Sequence, residues 1–285
     1  MKKQAEDRIQ DHHRFIDEAG DMTFFTKKHG REISVIGDNG VSRCFMIGMV
    51  HVKEDLHDAR RKVMDFCSRI DRNPAFQKYE SVRKRTERGN NGFYPHASKD
   101  PNDLRLRYIE YLMSEINFSA QIVVARKIPD IYVNKHHRNN QTLYADVMSH
   151  LIKDKDKIDP LILDIAGRGS STSNTNLEQA VRIAQKRSVR GKIPRVLDNQ
   201  IRFNVQPFDH ELLLSITDYC LWTVQRVYER GEDEYFEMLK SKISLVLDLY
   251  DSTKYDKNKN YYTRRNLLSA TAVGFESWEK PLWNE

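Results

Sequence analysis

The chain has 285 residues, 39% hydrophobic, 31% charged and 10% aromatic, with a formal net charge of +6. This length fits one large domain or a modest domain with insertions, and the aromatic content suffices for a core, which excludes wholesale disorder. No run approaches the roughly 18 apolar residues of a membrane span, and the opening Met1-Lys2-Lys3-Gln4-Ala5-Glu6-Asp7 lacks the apolar stretch of a secretory signal, so a cytoplasmic protein without membrane contact is expected.

Residues 1–13 are polar. The first apolar burst, residues 14–21 followed by Met22-Thr23-Phe24-Phe25, predicts a strand, a turn at Gly20 and more strand. Residues 33–36 predict a short strand and residues 44–52 a stronger one, which together suggest an antiparallel meander. From Lys53 the period changes, with Leu56, Ala59, Val63, Phe66 and Ile70 at helical spacing. Residues 72–101, polar and carrying Pro74, Pro95 and Pro101, read as a loop-rich insertion. A helix is expected over 102–117, a compact strand over 120–125 and a helix over 141–153. Residues 160–166 are nearly all apolar, as in a sheet interior. Thr175-Asn176-Leu177-Glu178 has the pattern of a capping box opening the next helix. Residues 201–205 predict a strand, 211–229 a long apolar helix and 232–249 a further helix. The tail from Tyr250 is polar, basic and Tyr-rich. Strands alternating with helices imply an α/β domain, a mixed β-sheet flanked by helices.

Cys44, Cys67 and Cys220 are odd in number, far apart and set in or beside apolar segments. They read as buried thiols, since neither a disulfide frame nor a zinc site has this spacing.

Three aspartates stand in apolar company: Asp17 after Phe15-Ile16, Asp164 between Leu163 and Ile165, and Asp218 within the helix expected over 211–229. A carboxylate there loses hydration at a cost of several kcal/mol unless a cation or donors replace the water. A divalent metal accepts several carboxylates at once, and magnesium also binds substrate phosphates. Taken singly, each aspartate reads first as a cap, a turn residue or half of an ion pair. Three of them, on two strands and a helix, point to a shared site at the sheet, where ligands of open α/β folds collect. The pI near 9 favours an acidic partner such as nucleic acid. Basic residues cluster at Arg83, Lys84, Arg85 and Arg88, and again at Lys186, Arg187, Arg190, Lys192 and Arg195. The second group is expected to carry a nucleic-acid backbone, or else to form a solvated face. Gly167-Arg168-Gly169-Ser170-Ser171-Thr172 reads as a linker or a phosphate-contacting loop, and it lacks the Gly-Lys-Ser/Thr ending of a nucleotide P-loop. The pairs His12-His13 and His136-His137 have no ligand-spaced partner and are expected at the surface.

Phe15-Ile16-Asp17-Glu18-Ala19-Gly20-Asp21 resembles the opening signature of a bacterial family, domain-of-unknown-function family 3800, grouped with the ribonuclease H-like superfamily. The resemblance continues at Phe45-Met46-Ile47-Gly48, at His96-Ala97-Ser98, at the Asp164 strand and at Asp218-Tyr219 with Arg226. It spans roughly residues 13–230, with the insertion at about 72–101, and leaves 231–285 as a helical or irregular C-terminal appendage. The chain departs from the family pattern at Ala19, where Ser is common, and at Ser215 and Thr217, where Gln and Ala are common. No carboxylate is lost.

The resemblance implies a ribonuclease H-like sheet with two Mg2+ or Mn2+ ions held by Asp17, Asp164 and Asp218, acting on phosphodiesters of DNA or RNA. Glu18 joins the site only if the turn at Gly20 twists it in, since a regular strand points it away from Asp17; otherwise it supports the site from behind. Asp21 shares that ambiguity. His96 is either a proton shuttle near the scissile phosphate or an ordinary surface histidine. The family context implies phage-defence or mobile-element neighbourhoods and a possible protein partner. A second reading is a non-catalytic nucleic-acid-binding or complex-forming subunit on a degenerate nuclease scaffold, prompted by the altered last motif and the polar tail. A third, an enzyme of a small phosphorylated substrate, has no cofactor fingerprint behind it.

Overall fold

Phe15 to Ala19 are all buried, because the strand they form is covered on both faces. The computed structural model that shows this describes residues 12–90, 92–153, 160–167, 174–188 and 201–275, with the side chains of residues 174, 184–188 and 257 outside the description. In chain order the strands and α-helices are β1 (His13–Ala19), β2 (Phe25–Lys28), β3 (Arg31–Ser34), β4 (Cys44–Val52), α1 (Leu56–Asp71), α2 (Pro74–Gln77), α3 (Glu80–Arg88), α4 (Asn102–Glu115) and β5 (Phe118–Arg126). There follow α5 (Pro129–Asn134), α6 (Asn140–Ile152), β6 (Leu161–Ala166), α7 (Asn174–Ser188), β7 (Ile201–Gln206), α8 (Leu214–Arg230), α9 (Glu234–Leu239), β8 (Ile243–Asp248), β9 (Tyr261–Tyr262) and α10 (Ala270–Val273).

Seven strands form one mixed sheet in the order β7-β6-β1-β4-β5-β8-β9. Antiparallel pairing joins β1 to β4 and β4 to β5, while β6 lies parallel to β1 and β7 parallel to β6. Helices cover both faces, so the expected mixed α/β fold is the observed one. It carries Asp17 on β1, Asp164 on β6 and Asp218 on α8, the helix that follows β7.

The alternation of β1 and β4 divides the core in two. Phe15, Met46 and Val50 face one way, with Leu214, Ile216, Leu221 and Val224 of α8 packed over them. Ile16, Phe45 and Ile47 face the other way, under Tyr144, Val147, Met148 and Leu151 of α6 and Leu177 of α7. Helix α8 is buried almost all round its first ten residues, as a helix lying across a sheet must be. Thr217 Oγ1 donates to the Phe15 carbonyl (3.0 Å), and the Glu229 carboxylate accepts the amides of Arg43 (2.8 Å) and Cys44 (3.0 Å). The helix is thus tied to β1 near one end and to the entry of β4 near the other. Cys44, Cys67 and Cys220 are buried and free, and burial pushes each thiol's pKa up.

Several expectations are corrected. Residues 25–34 do not join the meander; β2 and β3 form a separate two-stranded ribbon, and β4 pairs directly with β1. The segment 72–101 is not loop-rich, because it contains α2 and α3. In α3 a buried Val82 and Arg85 face inward, so its charged sequence hides the helical period. Of its basic residues, Lys84 pairs with Glu80 (2.6 Å) and Arg83 with Glu87 (3.9 Å) along the helix. Helix α7 begins at Asn174, which puts Thr175 inside the first turn and not at the cap. The helix expected over 232–249 ends at Leu239, and residues 243–248 become β8, parallel to β5. A short apolar run such as Ile243-Ser244-Leu245-Val246-Leu247 does not distinguish strand from buried helix. Residues 231–275 therefore extend the sheet by β8 and β9 and are not an appendage to it.

Gly48 pairs with Asp17 across β1 and β4 and so lies on the face that α8 covers. A Cβ placed there would stand 2.8 Å from Leu221 Cγ. Gly48→Ala is expected to destabilise the protein by about 1–3 kcal/mol through overpacking, seen as a lower urea midpoint at unchanged slope. Wild-type stability in that variant would contradict the close approach.

Candidate functional site

Asp164 is the register partner of Phe15 on the parallel β1–β6 pair. Paired residues share a face, so Asp164 and Asp17, two residues beyond Phe15, are diagonal neighbours at about 7–8 Å. Helix α8 covers this same face, bonded to Phe15 through Thr217, and Asp218 is the next residue along it. All three aspartates are buried, at 0%, 1% and 7% exposure for Asp17, Asp164 and Asp218. Asp17 and Asp164 thus share the sheet face that α8 covers, and Asp218 follows the α8 residue bonded to that strand.

Asp164 is held on three sides. His13 Nδ1–H donates to its Oδ2 (2.6 Å), while Oδ1 accepts from the side-chain amides of Asn204 (2.7 Å) and Gln206 (3.2 Å) on β7. His13, expected at the surface, is half-buried against this carboxylate. Asn204 and Gln206 went unread, although their alternation on β7 placed them on one face, and Asn204 is Asp164's register partner.

Asp218 Oδ2 accepts the Ala97 amide (2.7 Å), with His96 Nδ1 at 3.3 Å. His96 also stacks on Phe208, with ring centroids 5.7 Å apart. The structure thus places His96 beside a predicted site aspartate and not on an open surface. Its loop is built around buried Asp100, whose carboxylate accepts from Arg85, from the Tyr219 hydroxyl and from the His96 amide (3.0 Å). Burial pushes the Asp100 carboxyl above its ordinary range, against the pull of Arg85 and Tyr219. Arg105 Nε closes the loop by donating to the Ala97 carbonyl (2.9 Å).

Glu18 is buried on the face opposite Asp17, paired in register with Ile47, and acts electrostatically on Tyr144 of α6. Burial first, then Glu18, pushes the Tyr144 hydroxyl's pKa well up. Asp21 is clamped elsewhere: it accepts from Lys127 Nζ (2.8 Å), the Thr23 amide (2.7 Å) and the Ser42 amide (2.7 Å). Burial alone would raise its pKa, but Lys127 and the two amides outweigh that and hold it at about 2. The same bond does not offset the burial of Lys127, whose own pKa is pulled down. Arg226 pairs with Glu232 (2.7 Å), two turns along α8 from Asp218. His136, also expected at the surface, is buried, with Nε2 2.8 Å from the Tyr250 hydroxyl. Arg168 and the following residues 169–172 lie outside the described residues, as do Arg190, Lys192 and Arg195 and the side chains of Lys186 and Arg187.

The donors at Asp17, Asp164 and Asp218 are carboxylate oxygens, the ligand type that suits Mg2+ or Mn2+. As placed, they are not a tight cage. Among the described residues, the set whose ligand atoms all lie within 4.8 Å of one another is Asp55, His57 and Asp58, all exposed. Asp55 there caps α1 by accepting the Asp58 amide (2.8 Å).

No protein-family model matches the chain, and no curated protein matches it. Among solved structures it is similar to the PCNA:RNase HII complex from Archaeoglobus fulgidus, at 11% identity and a TM-score of 0.34, covering 81% of this chain and 77% of that one. A likeness that slight adds nothing to the geometry above. No helix among the described residues is long and apolar enough to cross a membrane.

Arg85→Ala would leave Asp100 buried without its countercharge, with only the Tyr219 hydroxyl and the His96 amide as donors, an effect on the order of 3–5 kcal/mol. Urea denaturation checks this. A loss below about 1 kcal/mol, the range of an exposed pair, would show that the loop bearing His96 does not depend on the Arg85–Asp100 pair.

Proposed function

We propose that the protein is a divalent-metal-dependent nuclease that hydrolyses phosphodiester bonds in DNA or RNA by a two-metal route. The observation that carries this reading is that Asp17 and Asp164 are buried on the sheet face that α8 covers, with Asp218 buried on α8 one residue past its bond to Phe15. Three anions so buried call for cationic compensation, and Mg2+ or Mn2+ held by them supplies Lewis-acid stabilisation of the phosphodiester and a more acidic water. The chain's own groups do the positioning. Asn204, Gln206 and His13 fix the orientation of Asp164. The loop clamped by Arg85 and Arg105 holds His96 at Asp218, with its Nε2 as the atom at which a proton is taken up or delivered. Lys186, Arg187, Arg190, Lys192 and Arg195 follow β6 in sequence and carry the polymer backbone. The resemblance of residues 15–21 to domain-of-unknown-function family 3800 supports the same reading, in a bacterial phage-defence or mobile-element setting with a protein partner.

A second reading, a non-catalytic nucleic-acid-binding subunit on a degenerate nuclease scaffold, is favoured by one observation. Both oxygens of Asp164 are already engaged by His13, Asn204 and Gln206.

Incubated with Mg2+ or Mn2+, the purified protein is expected to cleave a member of a panel of single- and double-stranded DNA and RNA. Asp17→Asn should lower that rate by more than about a hundredfold. Equal residual activity in wild type and variant would contradict the nuclease. Salt-sensitive binding without metal-dependent turnover would establish the second reading.

A further inference from the structure

Among the described residues a number of cations are engaged by carboxylates, such as Arg60 with Glu211, Lys62 with Glu54, Arg126 with Asp248 and Lys127 with Asp21. Others are not, and four of these share one place. Lys53, Lys242, Arg264 and Arg265 line one cleft of about 590 Å³, where the end of β4 and the starts of β5 and β8 meet. Among the described residues none of the four has a carboxylate within ion-pair distance. Glu54 lies closest in sequence, but its Oε2 is bonded by Lys62 and its Oε1 accepts the Asn117 amide (2.7 Å). Lys242 is held in place by donating to the Ile116 carbonyl (2.8 Å) and lies 5.3 Å from the Phe118 ring centroid. Burial lowers the pKa of its ammonium; the charge of Glu54 works against this, and that of Lys53 adds to it. Two lysines that repel each other in a cleft are stabilised by an anion between them. The remaining cleft wall is hydroxyls and an amide, from Ser119, Ser241, Ser244, Thr263 and Asn117, with no acidic residue.

A second cavity, of about 210 Å³, abuts the first and shares Ser241, Thr263 and Arg264 with it. Its walls are apolar and aromatic, including Phe236, Ile243, Tyr262 and Leu268, with Leu267 at the rim 56% exposed. A cation-lined cleft opening onto an apolar pocket matches a ligand with an anionic part joined to a flat apolar part.

We propose that these adjoining cavities form a nucleotide-binding site, with phosphate against Lys53, Lys242, Arg264 and Arg265 and a base in the apolar pocket beyond Thr263. The two cavities together have the size of a small-ligand site and exceed the needs of a lone phosphate. Basic grooves beside apolar or aromatic surfaces are the arrangement by which single strands are held without sequence preference. The site shares no residue with the aspartate layer, and its β5–β8 edge lies two to three strand positions from β1. It therefore stands or falls independently of the nuclease reading.

Binding of a short fluorescein-labelled single-stranded oligonucleotide to the full chain tests the proposal, with UMP, inorganic phosphate and phosphatidylglycerol vesicles as competitors. All arms are repeated in Asp17→Asn, where the site should be intact. The exposed pair Arg264→Glu/Arg265→Glu should weaken binding on the order of tenfold and flatten the salt dependence by about 1–1.5 in slope. Lys242→Glu should do likewise, with circular dichroism checking that it folds. UMP should displace the oligonucleotide better than inorganic phosphate, and Leu267→Asp should erase that advantage. The proposal is overturned if the charge reversals leave affinity and salt slope unchanged, or if phosphate competes as well as UMP. It is equally overturned if vesicles bind through these residues while nucleotides do not.

Discussion

The closeness of α8 to the sheet governs everything else in this molecule. The helix crosses β1 and β4 where Gly48 has no side chain and Leu221 occupies the space a Cβ would need. Thr217 and Glu229 bond to backbone groups of β1 and β4 from either end of the contact. This seating puts Asp218 on the face that already bears Asp17 and Asp164. The loop of residues 96–100 then closes over the helix, with Tyr219 and Arg85 on Asp100 and the Ala97 amide on Asp218. A lifted α8 would separate the carboxylates and detach His96 together.

Buried negative charge is handled here in two ways. Asp248 receives Arg126 Nε at 2.8 Å and the Tyr228 hydroxyl, and Asp146 receives Lys135 Nζ at 2.7 Å and the Tyr250 hydroxyl at the same distance. These are fixed ion pairs, in which removing one partner strands a charge. Asp164 and Asp218 are approached instead by imidazoles and amides, from His13, Asn204, Gln206, His96 and Ala97. Groups of that kind orient a carboxylate without supplying a permanent full positive charge.

The strands and helices with strong periodicity were legible in the sequence, as were β6 as an interior strand and α8 as a long apolar helix. The failures have physical causes. Helix α3 hides its period because it buries mainly Val82 and Arg85, and β8 is a short apolar run whose strand pairing with β5 is a tertiary fact. Apolar company around an aspartate was not a selective signal. Asp146 and Asp248 sit in the same kind of apolar company as Asp164, yet the fold gives them Lys135 and Arg126. His13 and His136 were placed at the surface because nothing in a linear sequence reveals a partner some 110–150 residues away, namely Asp164 and Tyr250. The opposite placement of Glu18 and Asp17 followed from strand alternation alone.

The central claim is that Asp17, Asp164 and Asp218 form one metal-holding face. A crystal soaked in manganese, with anomalous scattering recorded at the manganese edge, tests it most directly. The account predicts anomalous density between β1, β6 and α8, within coordination distance of oxygens of Asp17, Asp164 and Asp218. Density confined to the exposed Asp55, His57 and Asp58 at the start of α1, or none at the aspartate layer, would contradict it.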